Sequence, residues 1–140
     1  MLDTQNLKEI FKEYSYIASA YLFGSHATGK VYPMSDVDIA ILLKVNAPQG
    51  RALLHEEDYL SYELAKALEV KEVDLIDVNS QGLVFQHTIL KTGKLIYDAD
   101  PAFRRRFHMS VIINFCDFEP TLRFIEQYHF KGQLRRCERL

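Results

Sequence analysis

The sequence is short of several features that whole protein classes depend on. It has two cysteines, Cys116 and Cys137, which make neither a metal-type spacing nor a disulfide framework. Both are expected as reduced thiols in a cytoplasmic protein. The five histidines are dispersed, again without metal-site spacing. A net charge of −2 supplies no broad attraction to nucleic acid, so contact with it would need a local basic patch. The longest apolar run, Ile39 to Leu43, falls far short of the roughly 20 residues of a membrane helix. Residues 1–6 lack the basic and apolar segments of a secretion signal, and a soluble protein is expected. Internal repeats and low-complexity stretches are absent.

What remains is a chain able to build a core: 48% of its residues are hydrophobic, with 9 Phe and 8 Tyr among 140. Disorder is excluded for the bulk of it, and the length fits one domain. That domain is expected over residues 1–128, with a core at 15–98, a C-terminal helix at 101–128 and a mobile tail at 129–140. Asp3 or Thr4 can cap a first helix carrying Leu7, Ile10, Phe11 and Tyr14 on one face. Ser19 to Phe23 reads as a strand ended by Gly24, and residues 24–35 as a loop. Asp36 to Leu43 reads as a strand buried on both faces. A helix to about Glu69, a strand from Glu72 to Val78, a helix from about Ser80 to Leu90 and a strand from Lys94 to Tyr97 follow. Pro101 opens a last helix, which Pro120 is expected to kink or restart. The pattern predicts an α/β (α+β) domain, a small mixed sheet with flanking helices and a C-terminal helical extension.

The chemistry concentrates in three places. Residues two apart on a strand share a face, about 7 Å from each other, so Asp36 and Asp38 project together from an otherwise apolar strand. Like charges this close repel, and a divalent cation resolves the repulsion; two-metal phosphoryl chemistry uses shared carboxylates between ions roughly 4 Å apart. Asp74 lies inside the β-branched run Val73 to Val78, where an acid is unfavourable, and a metal site beside Asp36 and Asp38 accounts for it. Asp77, next to Asn79 and Ser80, reads as a turn or cap residue. Upstream, Gly24 and Ser25 follow a strand directly, where exposed amides and the Ser25 hydroxyl can cradle a phosphate. Each feature alone is common on protein surfaces; their combination is not. Residues Gly24 to Lys30 also match the start of a P-loop, but Val31 stands where such a loop needs Ser or Thr for magnesium, and Pro33 interrupts its helix.

The string Gly24-Ser25-His26-Ala27-Thr28-Gly29, then Ser35-Asp36-Val37-Asp38, resembles the signature of the polymerase-β nucleotidyltransferase superfamily, including its spacing in minimal members. Many members carry Arg where Thr28 stands. The resemblance implies the corresponding fold and magnesium-dependent transfer of a nucleoside monophosphate from ATP or another nucleoside triphosphate. By it, Asp36, Asp38 and Asp74 would hold two Mg2+ ions, Asp74 would help deprotonate the acceptor, and Gly24, Ser25 and Ser35 would hold the nucleotide. The short chain is similar to the antitoxins of HEPN–nucleotidyltransferase pairs, which attach AMP to a tyrosine of the HEPN toxin and bind it as a partner. Neutralisation by binding alone, or transfer to RNA or a small molecule, are the alternatives.

Two further features have no assigned role. Arg104, Arg105 and Arg106 are placed on the polar arc of the last helix, as a triphosphate clamp, an acidic-partner surface or a solvated face. Phe103, Phe107, Phe115 and Phe118 are expected as core, with any uncovered remainder left for a protein partner. His26 reads as a loop residue.

Overall fold

The computed structural model describes residues 4–24 and 37–138, with side chains through residue 129. Its middle layer is a four-stranded sheet in the order β3-β2-β1-β4. β1 (Ile17–Phe23) and β2 (Val37–Leu43) lie at the centre, with β3 (Val73–Asp77) and β4 (Lys94–Asp98) at the edges. β1 is antiparallel to β2 and β4, and β2 is parallel to β3. A parallel pair cannot be joined by a tight turn, and α2 (Arg51–Leu68) makes the crossover. α1 (Gln5–Lys12) precedes β1, α3 (Leu83–Thr92) connects the two edge strands, and α4 (Pro101–Glu138) follows β4.

The helices divide between the two faces. Leu7 and Phe11 of α1 and Leu60 and Leu64 of α2 pack on Val37, Ile39 and Ile41. On the other face Ile89 and Leu90 of α3 and Val111 of α4 pack on Tyr21 and Ala40. With helices on both sides, the central strands have no solvent face, which is why β2 is apolar without alternation after Asp38. Alternation is instead a matter of which core each residue enters.

Several boundaries differ from those expected. β1 starts at Ile17, two residues early, because Ile17 is fully buried and pairs with Leu43. Between β3 and α3 stands a 3-10 turn, Val78–Ser80, where a helix was expected to begin. Ser80 Oγ donates to Asp77 Oδ1 at 2.6 Å, the turn role foreseen for Asp77. Within that turn, Leu43 N–H donates to Asn79 Oδ1 at 2.8 Å and Asn79 Nδ2 donates to the Leu43 carbonyl at 2.9 Å. A side-chain amide thus replaces a strand residue at the end of β2.

α4 differs most. It runs through Pro120 as one helix and continues to Glu138, past His129, where the helical periodicity of the sequence ends and a mobile tail was expected. An exposed proline forfeits one backbone bond while the turns around it keep theirs, and Gln133 to Arg136 are good helix formers. Its aromatic stripe is only half-buried at Phe103, Phe107, Phe115 and Phe118, and Val111 is the one fully buried residue of α4 among the described residues. Arg104 departs from the polar arc on which the three arginines were expected. It turns inward, with Nη2 3.0 Å from Asp98 Oδ2, while Arg105 and Arg106 stay exposed.

Candidate active site

Because β1 runs against β2 and β3, its last residues meet their first ones at one end of the sheet. Phe23 of β1 registers with Asp38 of β2, and Asp38 registers with Asp74 of β3. Laterally paired residues point to the same face and neighbouring strands lie about 4.8 Å apart. Asp38 and Asp74 therefore stand side by side on the face that carries Ala40 and Ile76 and the α3–α4 core.

The backbone beneath them is held tightly. Val37 and Ile39, on either side of Asp38, are fully buried in the opposite core, and Ala40 is buried behind it. Asp38 itself is half-buried. Val73 is buried beside Asp74, and its carbonyl accepts a 2.7 Å bond from Ser61 Oγ of α2. Val37 N–H donates to the Glu72 carbonyl at 3.5 Å, tying the start of β2 to the entry of β3. Asp74 is exposed, and no ion pair to it is present among the described residues.

Gly24 closes the arrangement. It follows Phe23 with φ +73°, and a Cβ built there would lie 2.4 Å from Asp38 Oδ2. Only glycine lets the backbone turn away from β1 this close to the carboxylate. Ser25, Ser35 and Asp36, the other sequence-predicted site residues, lie outside the described residues, as does His26. Among the described residues no three potential metal ligands cluster together; the described part of the site is the pair Asp38 and Asp74.

One neighbour was not legible in the sequence. Phe85 of α3 meets Phe23 edge-to-face, with ring centroids 6.1 Å apart, and keeps 40% of its surface exposed. An aromatic border thus adjoins the carboxylates, formed by a helix whose spacing marks Phe85 only as one more apolar residue.

Gly24, Asp38 and Asp74 all lie within the segment that a family model matches. The model of the family "Polymerase beta, Nucleotidyltransferase" matches residues 5–102. The chain belongs to this family. Its fold is the small mixed sheet with flanking helices of that family, extended by α4. Solved structures agree in fold. A chain of a toxin–antitoxin complex with AMP-PNP is similar at a TM-score of 0.74 and 22% identity, over 92% of this chain and 99% of that one. A chain of the MntA–HepT toxin–antitoxin complex gives 0.66 and 20%, over 91% and 96%. A chain from a complex of a tri-AMPylated Shewanella oneidensis HEPN toxin with its MNT antitoxin gives 0.67 and 20%, over 91% and 95%. No curated protein matches the sequence. No helix among the described residues is long and apolar enough to cross a membrane.

Proposed function

We propose that this protein transfers AMP from ATP to a hydroxyl, a tyrosine of a cognate HEPN toxin, and so acts as an antitoxin. The observation that carries the reading is the pairing of Asp38 with Asp74 beside a left-handed Gly24, on the fold of a nucleotidyltransferase family. The toxin–antitoxin complexes of similar fold, one with AMP-PNP and one with an AMPylated toxin, support the donor and the partner.

In this reading Asp38 and Asp74, with Asp36, hold two Mg2+ ions. Side-by-side carboxylates on a rigid strand pair are the donor set that hard, oxygen-seeking cations require. When bound, the ions polarise the phosphates and neutralise developing charge. Gly24, Ser25 and Ser35 hold the nucleotide, with the glycine giving its phosphates close approach to the backbone. The acceptor oxygen bonds to the α-phosphorus, the bond from that phosphorus to the bridging oxygen breaks, and pyrophosphate leaves. Asp74, exposed beside Asp38, takes the acceptor's proton. Positioning and fixed charge supply most of the rate in such transfers.

The test is incubation of the protein with its genomic neighbour's product, α-labelled ATP and magnesium. Label should appear on the partner and be lost with Asp38→Asn or Asp74→Asn, each by at least about 100-fold. An unlabelled partner, or undiminished label with both variants, would refute the reading. A second reading, neutralisation by binding alone, is favoured by the exposed apolar residues late in α4, such as Phe124 and Tyr128. Full protection of cells by the double Asn variant would select it.

A further inference from the structure

We propose that the groove between the α1–β1 connection and α2 is a docking site for an arginine side chain carried by a partner polypeptide. The groove has a volume of about 740 Å3, with walls that include Tyr14, Tyr16 and Tyr59 and the carboxylates Glu13, Glu56 and Asp58. Tyr14 and Tyr16 meet edge-to-face at 6.0 Å. Their hydroxyls donate to Glu63, at 3.4 Å, and to Glu56, so both rings are fixed. Burial, followed by the nearby Glu63 charge, pushes the Tyr14 phenol up to about 12, which keeps that ring neutral and its hydroxyl a donor.

Nothing in the fold requires the remaining parts. Tyr59 and Tyr62 are 62% and 66% exposed, while α2 buries Leu60 and Leu64 on its other side. Glu13 and Asp58 make no ion pair among the described residues. His55 is the basic side chain lining the groove. Aromatic faces and unpaired carboxylates in one concavity select the chemistry of the occupant. An apolar group would strip water from the carboxylates without pairing them, and an anion would be repelled. A guanidinium satisfies both, stacking its plane on a tyrosine while its N–H fork binds a carboxylate. The ammonium of lysine is more strongly hydrated and has no plane to stack.

The position makes the groove independent of the transfer site. Tyr14 and Tyr16 precede the first residue of β1 and Gly24 follows its last, so the two lie roughly 20 Å apart along the strand. They also lie on opposite faces, since Tyr14 belongs to the α1–α2 core and Asp38 projects on the α3–α4 side. An occupant therefore leaves nucleotide binding untouched.

The test uses the full chain and fluorescein-labelled hexa-arginine, hexa-lysine and hexa-glutamate, read by anisotropy at low salt. Hexa-arginine should bind, hexa-lysine at least about threefold more weakly, and hexa-glutamate not at all. Tyr59→Ala, which leaves every charge in place, should weaken the arginine peptide about two- to fivefold. Glu13→Gln with Asp58→Asn should weaken it further, while Asp117→Asn on α4 and Asp38→Asn should leave it unchanged. Circular dichroism verifies that each variant is folded. No binding of hexa-arginine, equal binding of hexa-lysine, or indifference to Tyr59→Ala would overturn the proposal. So would sedimentation showing a dimer that Tyr59→Ala and Arg105→Gln with Arg106→Gln both dissolve, since the occupant would then be a second copy.

Discussion

Gly24 leaves β1 in the left-handed region with Asp38 Oδ2 where its side chain would be. Gly24→Ala places a methyl against that oxygen and forces a backbone conformation that alanine resists, at a cost of order 1–3 kcal/mol. AMP transfer should fall at least about 100-fold while the thermal midpoint drops by about 3–10 °C; retention of more than half the activity would show that the close approach is not needed. Glu57 on α2 makes a separate residue-scale case. Its Oε1 is buried without a hydrogen-bond partner, and burial, then the charges of Asp77 and Asp58, raise its carboxyl to about 7. The folded protein keeps a proton there that the unfolded chain releases near 4.5. The resulting stability is complete below about 4.5 and disappears as pH rises through 7. Urea titrations from pH 5 to 8 should show wild type losing stability relative to Glu57→Gln. Parallel curves for the two proteins would remove the assignment.

At the scale of elements, α4 depends on its first turn. Asp100 accepts the Phe103 N–H at 3.1 Å, and Arg104 binds Asp98 at the end of β4. Both side chains of that ion pair are about four-fifths buried, at 21% and 22% exposure. Arg104→Met leaves the Asp98 carboxylate uncompensated, and should cost about 2 kcal/mol, less than the roughly 3–5 of a fully buried pair. Urea unfolding measures it, and a loss under about 0.5 kcal/mol would return Arg104 to the polar arc that periodicity assigned. That assignment failed for a definable reason. Phe103 and Phe107 bracket the arc, but an acid on the neighbouring strand draws one arginine of three inward, and no spacing within the helix encodes β4. β2 was more legible, because burial on both faces imposes a continuous apolar run that survives in the sequence.

For the molecule as a whole, stability resides in the two cores flanking the sheet, and α4 outlasts both. Val111 is its last fully buried described residue, whereas Phe124 and Tyr128 are 68% and 71% exposed. A chain ending at Arg123 should unfold within about 4 °C of the full chain, because the described side chains it removes are all exposed. A larger fall, measured calorimetrically, would show that the end of α4 contributes to the core. Phe11, with no exposure and its ring stacked on Tyr97 at 5.2 Å, is the opposite case: Phe11→Ala should cost about 3–5 kcal/mol.

The sequence by itself determined the family and the order of elements. Local periods, a glycine after a strand and Asp-x-Asp at the head of an apolar run are consequences of short-range geometry. It also marked Asp74 as anomalous, since an acid in a β-branched run needs a partner wherever the strand goes. Only the tertiary structure decided that β3 lies parallel to β2 in the register that sets Asp74 beside Asp38, because register is fixed by packing between strands 36 residues apart. The inward turn of Arg104, the aromatic border at Phe23 and Phe85 and the tyrosine groove on α2 share that origin. Each joins residues from different elements, and the distances that define them exist only after the sheet and its two helical layers have packed.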